Sequence, residues 1–548
     1  MPTDLQIATL HDRFSLRKDG LLLERSWAEV SNRVCNAVAE GDDIYALNMF
    51  KDIVFGEKFI PAGRILAAMG APEGLTPYNC TVLRSPEDSR KGMIVLLEEW
   101  IEFQARGSGV GVNMSTLRPS GSPIRGVNGT SSGPIAWMEL LSTATHKVIQ
   151  QGGSRRGAAM LILNDSHPDI FEFIKAKETP GVLEGANLSV SVSDSLMRAV
   201  KEDKEWDLRW NDTLFRTIPA RELWAAIIGA AWRSGEPGVV FLERANRESN
   251  SWYFEDLVAT NPCAEQPLGA NSVCLLGSIN LPKHMAQGKL EVGKLHGTVM
   301  AAVRFLDNVI DRAFYPSEEC QLRQAAIRRM GIGTIGLADA LISAGLRYGS
   351  PEAITFTEEV YRQIKMAAYQ ASIDLSKERG PFPAFDERYL KGKFIQRLPE
   401  LLRKDIEQYG IRNAFLTSQA PTGTIAKLMN VWSGIEPYFA KETRFVNRMG
   451  TYTFKAPDSE FLVCADEVSP EGHLLMQAAA QKHTDSAVSK TVNAPNEATL
   501  EDTKEVYDKA YDLNLKSVAY YRDGSRAVQV QYKVGEGKEE CHTDECSL

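Results

Sequence analysis

Asn261-Pro262-Cys263-Ala264-Glu265 places an amide, a thiol and a carboxylate at every second residue of one short segment. Alternate side chains of a chain that is extended through a proline point the same way, so we expect all three groups to face one small molecule. A thiol beside a general base suits nucleophilic catalysis. It suits equally a thiol that reacts as a radical beside a base that takes a proton from the substrate. The segment by itself leaves both kinds of chemistry open.

The length and charge of the chain limit the classes of function. Its 548 residues predict two or three domains or one large α/β barrel with additions. The net charge of −9, from 62 basic and 71 acidic residues, gives no electrostatic footprint for binding nucleic acid or an anionic membrane. No apolar run approaches the roughly 18 residues of a membrane span, and residues 1–13 lack the apolar stretch of a signal peptide. We expect a cytoplasmic protein.

The eight cysteines are widely spaced, which argues against a structural disulfide framework in a chain without a secretory signal. No Cys-x-x-Cys pair occurs, and Cys541, His542 and Cys546 are too few and too close together to predict a zinc site. Catalytic or redox-cycling thiols remain, and inert burial is the ordinary alternative for each one. The cysteines are Cys35, Cys80, Cys263, Cys274, Cys320, Cys464, Cys541 and Cys546.

The pattern along the chain predicts three regions. Residues 1–58 have apolar residues at helical spacing and predict a short helical N-terminal region. From about residue 59 to residue 526, helical stretches alternate with short β-branched runs, which indicates parallel α/β architecture. Residues 527–548 turn charged and glycine-containing and predict a flexible tail.

Several loops suit phosphate groups. Residues 421–426, Pro-Thr-Gly-Thr-Ile-Ala, combine threonine hydroxyls with backbone N–H groups at a predicted helix start, although such starts are common without a ligand. The glycine-arginine loops at 118–126 and 150–157 suit a nucleotide, and solvated surface loops are the alternative. The glycines of residues 107–111 follow a helix and precede a strand, the wrong order for a dinucleotide fingerprint.

Two partial motifs argue against other chemistry. Residues 165–170 begin like the Asp-x-His-x-x-Gly element of a corrinoid-binding fold but lack its glycine, so we expect a helix cap there. The chain has one Glu-x-x-His match, Glu539 to His542, whereas a di-iron bundle needs two. We therefore predict no metal site in this chain.

Taken together, the motifs resemble the catalytic subunit of ribonucleotide reductase, and most closely the adenosylcobalamin-dependent class II enzymes. The resemblance runs from about Phe59 to Arg526. It depends on the order of many short segments, since any one of them could occur by chance. They are 79–83 (NCTVL), 151–159 (QGGSRRGAA), 261–268 (NPCAEQPL), 274–281 (CLLGSINL), 328–339 (RRMGIGTIGLAD), 421–426 (PTGTIA), 434–437 (GIEP) and 520–526 (YYRDGSR).

The resemblance implies a ten-stranded α/β barrel of two parallel five-stranded half-sheets around a central finger loop. Cys263 at the tip would be the thiyl radical that abstracts the ribose 3′ hydrogen, Glu265 would take the 3′-hydroxyl proton, and Asn261 would position the sugar. Cys80 and Cys274 would reduce the 2′ position and close to a disulfide. From the residues alone, Cys274 reads equally well as a small buried hydrophobe.

The same resemblance assigns the remaining motifs. The substrate phosphates would be held by Thr422, Gly423, Thr424 and Ile425. The tail pair Cys541 and Cys546 would reduce the active-site disulfide and be reduced in turn by thioredoxin or glutaredoxin. A deoxynucleotide effector would bind at a homodimer interface. Its expected contacts are Asp88 and Arg118, and the loop that contains Gly153, Ser154 and Arg155 would match the substrate base to the effector. Cys35, Cys320 and Cys464 match no family role.

The source of the radical has two candidates. The Asn-Pro-Cys motif and the compact length favour adenosylcobalamin, whereas the pair Tyr520 and Tyr521 matches the radical relay of class I enzymes, which need a separate metal-containing subunit. The region before residue 59 does not resemble the ATP cone of larger members. We expect a ribonucleoside diphosphate as substrate. A cysteine-dependent acyl-transfer enzyme and a non-catalytic nucleotide-binding module are the readings outside the family.

Overall fold

The structure is a computed structural model, and it describes residues 2–72, 74–149, 157–179, 181–447, 450–525 and 531–533. The expected effector residues Gly153, Ser154 and Arg155 and the tail cysteines Cys541 and Cys546 lie outside these ranges.

The α-helices occur along the whole described chain. In chain order they are α1 (Asp4–Arg13), α2 (Trp27–Ala39), α3 (Ile44–Phe55), α4 (Gly63–Ala68), α5 (Arg90–Ala105), α6 (Gly133–Thr143), α7 (Ile170–Lys175), α8 (Asp194–Lys201), α9 (Ala220–Ser234), α10 (Leu242–Arg247), α11 (Val292–Arg312), α12 (Glu318–Ile327), α13 (Leu337–Ser343), α14 (Pro351–Arg379), α15 (Lys393–Gln396), α16 (Glu400–Tyr409), α17 (Gly423–Met429), α18 (Pro470–Gln481) and α19 (Leu500–Asp512).

The strands are mostly short. In chain order they are β1 (Arg17–Lys18), β2 (Leu21–Leu22), β3 (Phe59–Pro61), β4 (Cys80–Val82), β5 (Gly109–Asn113), β6 (Pro123–Ile124), β7 (Gly129–Thr130), β8 (Ala159–Asn164), β9 (Asn187–Ser191), β10 (Glu205–Trp210), β11 (Thr213–Pro219), β12 (Gly238–Val240), β13 (Leu257–Thr260), β14 (Pro267–Gly269), β15 (Ser272–Cys274), β16 (Leu276–Asn280), β17 (Met285–Ala286), β18 (Lys289–Leu290), β19 (Gly331–Ile335), β20 (Glu442–Asn447), β21 (Gly450–Lys455), β22 (Thr491–Ala494), β23 (Ser517–Arg522) and β24 (Gln531–Lys533).

The largest sheet has eight strands in the order β15-β4-β5-β8-β9-β12-β23-β22. Five adjacent strands in it, β4, β5, β8, β9 and β12, run parallel. The first five residues of β8 are buried, as expected for a strand covered on both faces. The predicted parallel α/β class is therefore confirmed.

A second sheet has the order β19-β16-β3, with β16 and β19 parallel. Two isolated parallel bridges, Ile332 to Thr417 and Gln419 to Val488, lie between β19 and the neighbourhood of β22. Within the described residues, the strands thus form separate sheets of eight and three strands, and not one closed sheet of ten.

Sequence signals fix where the helices begin and end. In α2, Ser26 accepts a hydrogen bond from the Glu29 backbone N–H and the Glu29 side chain accepts one from Ser26 in return, which is a capping box. The long helix α14 starts with the cap Ser350 followed by a proline and ends at Gly380, whose φ is +79°. The helices predicted in residues 1–58 are present as α1, α2 and α3.

The N-terminal helices pack directly on the α/β part of the chain. The ring of Phe305 in α11 meets Phe50 of α3 edge-on at 5.2 Å between centroids, and Phe59 of β3 at 5.6 Å. Beside these rings, Asp42 accepts hydrogen bonds from Arg304, Arg379 and Asn308. A shared core and a partly buried ionic cluster therefore join the two regions, and the division at residue 58 stays a prediction.

None of the helices in the described part of the chain is both long enough and apolar enough to cross a membrane.

Candidate active site

The motif at residues 261–266 forms a hairpin loop, which we call the finger hairpin. Its flanking strands β13 and β14 pair antiparallel. The Ala264 N–H donates to the Asn261 carbonyl at 3.0 Å, and Ala264 has the left-handed φ of +62°. The expectation of an extended chain through Pro262 is therefore wrong, because the paired strands force a tight turn. The turn, and not strand alternation, decides where the three polar groups point.

Two glycines of β5 make room for the finger hairpin. A Cβ on Gly111 would lie 1.9 Å from the Thr260 carbonyl oxygen, and one on Gly109 would lie 3.1 Å from Pro262 Cγ. Any larger residue at 111 would collide with backbone. The glycine spacing at 107–111 is thus a packing signal for the hairpin, which sequence reasoning missed by testing it only as a nucleotide fingerprint.

Cys80 and Cys274 lie directly opposite each other across the antiparallel pair β4 and β15. Both are buried thiols, and the Cys80 backbone N–H donates to Cys274 Sγ at 3.1 Å. Burial raises the pKa of the Cys274 thiol well above its ordinary value, and the side chain of Cys80 acts in the same direction, whereas the hydrogen bond from the Cys80 backbone N–H opposes them. Cys274 is therefore held as a neutral thiol.

The other two motif residues flank this pair. Asn261 is buried; its Oδ1 accepts the Gln266 N–H at 3.0 Å and its Nδ2 donates to Cys80 Sγ at 3.6 Å. Glu265 is also buried, and its backbone carbonyl is held by Ser418 Oγ at 2.9 Å and by the Ala487 N–H at 3.0 Å. Cys263, in contrast, is exposed at the tip of the hairpin.

A cavity of about 220 Å³ joins these groups to the predicted phosphate segment. Cys263, Glu265 and Cys80 line it together with residues 421–425. Arg13 and Phe14 at the end of α1 also line it, although the sequence analysis assigned them no role. Only the three-dimensional packing could reveal these two, because α1 and α17 are far apart in sequence.

Residues 421–425, which we call the phosphate turn, lead into α17 through Thr422, whose φ is +59°. Thr422 Oγ1 accepts the Gly434 N–H at 2.8 Å. Gln419 positions the start of the turn, since its Nε2 donates to the Ala420 carbonyl at 2.7 Å. A Cβ on Gly423 would meet no protein atom within 4 Å, so this glycine borders open space. The first-turn N–H groups of α17 have no intrahelical acceptor and can bind an anion.

The expected effector residues Asp88 and Arg118 bind each other. Arg118 Nε lies 2.7 Å from Asp88 Oδ2, and both side chains are partly exposed. The adjoining loop is anchored by Asp169, whose Oδ2 accepts the Ser120 N–H at 2.8 Å. Asp169 does stand at the start of α7, but its side chain makes no capping bond there. Asp169 therefore occupies the N-cap position, as expected, but does not cap the helix with its side chain.

The two tyrosines of the expected radical relay lie on β23. Tyr520 is buried, accepts a hydrogen bond from Thr503 Oγ1 at 3.0 Å and packs against Tyr507 of α19. Because successive residues of a strand point to opposite faces, Tyr521 lies on the other face of β23. The relay stays a prediction.

Cys35, Cys320 and Cys464 are buried thiols, and burial raises their pKa values to about 12, 12 and 11. Their structural role stays a prediction. The part of the chain that the structure describes contains no group of three or more His, Cys, Asp or Glu side chains placed to hold a metal ion.

Comparison with known proteins places this site in a family. The chain matches the family model described as ribonucleotide reductase, barrel domain, over residues 78–462 and 449–521. It is 35% identical to a vitamin B12-dependent ribonucleoside-diphosphate reductase of Mycobacterium tuberculosis, across 96% of this chain and 80% of that protein. A protein of the same name from Thermoplasma acidophilum is 35% identical, across 88% of this chain and 66% of its own length. A ribonucleoside-diphosphate reductase large subunit of Vaccinia virus is 28% identical, across 80% and 61%. The chain belongs to the ribonucleotide reductase family and is similar to its vitamin B12-dependent members.

Proposed function

We propose that this protein reduces ribonucleoside diphosphates to 2′-deoxyribonucleoside diphosphates by thiyl-radical chemistry. The observation that carries the proposal is one cavity lined by an exposed thiol, a buried carboxylate, a buried thiol and the phosphate turn. An acyl-transfer enzyme or a simple nucleotide-binding module has no use for the opposed thiols Cys80 and Cys274. The names of similar relatives support the diphosphate.

The first half of the reaction activates the ribose. The Cys263 thiyl radical takes the 3′ hydrogen, so the thiol re-forms and the radical passes to the sugar. Glu265 takes the 3′-hydroxyl proton, which weakens the bond between C2′ and its hydroxyl. Asn261, held by Gln266 and Cys80, fixes the geometry of the hairpin around the sugar.

The second half reduces the sugar. The 2′ hydroxyl leaves as water, and C2′ receives a hydrogen in its place. Cys80 and Cys274 together supply the two electrons and two protons that this exchange requires, and they become a disulfide. The sugar radical then takes its hydrogen back from Cys263, and Glu265 returns its proton to the 3′ oxygen. The opposed register of Cys80 and Cys274 allows the new sulfur–sulfur bond to form without strand rearrangement.

Adenosylcobalamin fits the exposed thiol of this site. Of the three thiols, Cys263 is the one at the exposed tip, whereas Cys80 and Cys274 are buried. When bound, the cofactor supplies the one-electron chemistry that turns the Cys263 thiol into a radical. The vitamin B12-dependent relatives support this choice over a partner subunit with Tyr520 and Tyr521 as the relay.

The phosphate turn would hold the diphosphate. The backbone N–H groups of Gly423, Thr424 and Ile425 would donate to phosphate oxygens, and Thr422 would shape the turn. The missing side chain at Gly423 lets the phosphates approach the backbone closely.

After each turnover the disulfide must be reduced. We assign this task to Cys541 and Cys546, with thioredoxin or glutaredoxin as the external reductant. Both cysteines lie outside the described residues, so the support for this assignment is the family resemblance.

Specificity control would involve a homodimer and a deoxynucleotide effector. Ile94, Val95 and Ile101 of α5 and Leu140 of α6 are large apolar side chains that this chain leaves exposed, as expected for helices that pack against a second copy. Asp88, just before α5, and its partner Arg118 would contact the effector at that interface. Gly153, Ser154 and Arg155 would relay its identity to the substrate.

The proposal also includes the closure of the two sheets into one barrel. The five parallel strands β4 to β12 would be one half-sheet of a ten-stranded barrel. β16, β19, residues 417–419, β22 and β23 would be the other, with the finger hairpin inside. The bridges at Ile332 and Gln419 support this arrangement. The division into regions 1–58, 59–526 and 527–548 goes with it.

The test is a CDP reduction assay with dithiothreitol, with and without adenosylcobalamin, and with no second protein. We expect turnover only with the cofactor. If the protein is inactive until a metal-loaded partner is added, the radical source is instead a class I-like subunit. The Cys263→Ser variant should bind nucleotide and lose reduction; substantial remaining turnover would refute the thiyl assignment.

A further inference from the structure

Arg13 and Phe14, the last residue of α1 and the one after it, line the same cavity as the phosphate turn. The side chain of Arg13 is about a quarter exposed, and its Nε lies 3.1 Å from Asp12 Oδ2. Such partly exposed ion pairs contribute little stability, so Arg13 can exchange this contact for a stronger one. The N-terminal region therefore brings a cation to the active-site cavity.

The position of Arg13 is fixed by contacts on both sides. Gln6 in α1 donates from Nε2 to the Leu428 carbonyl of α17 at 2.9 Å, which holds α1 against the helix that follows the phosphate turn. Arg33 donates to the Phe14 carbonyl at 3.1 Å and to the Met69 carbonyl at 2.6 Å. The backbone that carries Arg13 is thus already in place, so it need not be ordered when a ligand binds.

The charge of Arg13 also reaches α17. Lys427 lies in this helix with its Nζ 3.8 Å from the centre of the Phe445 ring. Burial and, to a smaller extent, the positive charge of Arg13 together lower the pKa of Lys427 to about 8. Arg13 and Lys427 are thus two cations that repel each other, and a polyanion bound at Arg13 would relieve that repulsion.

Arg64 is the other arginine of the cavity wall, and its geometry differs. Its guanidinium donates to the Thr76 carbonyl at 3.1 Å and to the Arg106 carbonyl at 2.9 Å, and it lies where a side chain on Gly107 would be. Arg64 is buried and holds three chain segments together. Arg13 is therefore the better candidate for a ligand contact.

We propose that Arg13 binds the substrate phosphates, so that the N-terminal region completes the active site and selects for nucleotides by their phosphate charge. This rests on the proposed function and adds a binding residue to it. Guanidinium groups pair with two phosphate oxygens at once, which complements the backbone N–H groups of the phosphate turn. The loss of Arg13 therefore weakens a diphosphate more than a monophosphate, and cytidine least.

The experiment compares wild type with Arg13→Gln, Arg13→Lys and Arg17→Gln. Arg17 is a matched control, since it is an exposed arginine in the same region that donates hydrogen bonds to the Gly20 and His11 carbonyls. For Arg13→Gln we expect KM for CDP to rise about ten- to a hundredfold, as for a lost hydrogen bond to a charged group, with kcat within about twofold. The KM of Arg13→Lys should lie between those of wild type and Arg13→Gln, and the KM of Arg17→Gln should match that of wild type.

Calorimetric binding of CDP, CMP and cytidine separates a phosphate contact from a structural role. The affinity lost in Arg13→Gln should be largest for CDP and smallest for cytidine, at an unchanged melting temperature. An unchanged KM, an equal rise in Arg17→Gln, or an equal loss for all three ligands would each overturn the inference. If wild type binds CDP without reducing it, the proposed function fails, and the binding series still decides the role of Arg13.

Discussion

The finger hairpin and the phosphate turn meet in one cavity, and both contain a left-handed residue other than glycine, Ala264 at +62° and Thr422 at +59°. Their neighbouring glycines differ. A Cβ on Gly111 would collide with the hairpin backbone, whereas one on Gly423 would meet no protein atom within 4 Å. The protein needs the first glycine for its own packing, and the second one leaves space for something else. The same residue type thus marks two different constraints.

The largest effect should come from Gly111→Ala. The new Cβ would lie 1.9 Å from the Thr260 carbonyl oxygen, so the hairpin must move. A displacement of about 1 Å at a reacting group costs about a hundredfold in rate, and overpacking costs about 1–3 kcal/mol of stability. CDP turnover and urea unfolding measure the two effects. Gly109→Ala, whose nearest contact would be 3.1 Å, should show a smaller loss of both kinds. Equal activity in all three proteins would contradict the packing role.

A second change tests how much the ionic contacts of the N-terminal region stabilise the protein. Asp42→Asn removes the charge that Arg304 and Arg379 share, and we expect a loss of about 3 kcal/mol in unfolding free energy. Burial raises the pKa of Asp42, but the hydrogen bonds from Arg304 and Asn308 outweigh this and hold it below its ordinary value.

The pH dependence of the unfolding free energy follows from the lowered pKa of Asp42. The folded pKa is depressed, so the stabilisation is present above the unfolded pKa near 4 and is lost as pH falls below it. The difference between wild type and Asp42→Asn should therefore be constant from about pH 5 to 7 and shrink below about pH 4. Urea unfolding across this range is the measurement. A difference that grows with acid would show that Asp42 is not the responsible group.

The smallest effect should come from Gly423→Ala, which sharpens the contrast with Gly111. We expect KM for CDP to rise about tenfold while kcat and melting temperature stay near wild type, because the methyl group enters space that the phosphates need. Gly293→Ala in α11 is the matched control, since a Cβ there also meets no protein atom within 4 Å. A KM rise in the control, or none at Gly423, would remove the distinction.

Sequence reasoning reached the parts of this molecule that are written in short motifs. The parallel α/β class, the helices of the first 58 residues and the chemical groups at 263, 265 and 421–425 all follow from local patterns. It failed at Pro262, because strand pairing on either side turns a segment that reads as extended. It could not find Arg13, because the contact between α1 and α17 spans more than 400 residues and leaves no local signal.

The register of Cys80 and Cys274 has a consequence for the durability of the protein. The two residues are 194 positions apart in the chain, and a disulfide between them would cross-link a loop of that length. A cross-link across so long a loop lowers the conformational entropy of the unfolded chain, which stabilises the folded state by about 5 kcal/mol. The molecule would therefore resist heat best just after it has released product and before a reductant reaches it. Without a reductant, the protein would remain in the disulfide form, which is its most stable form.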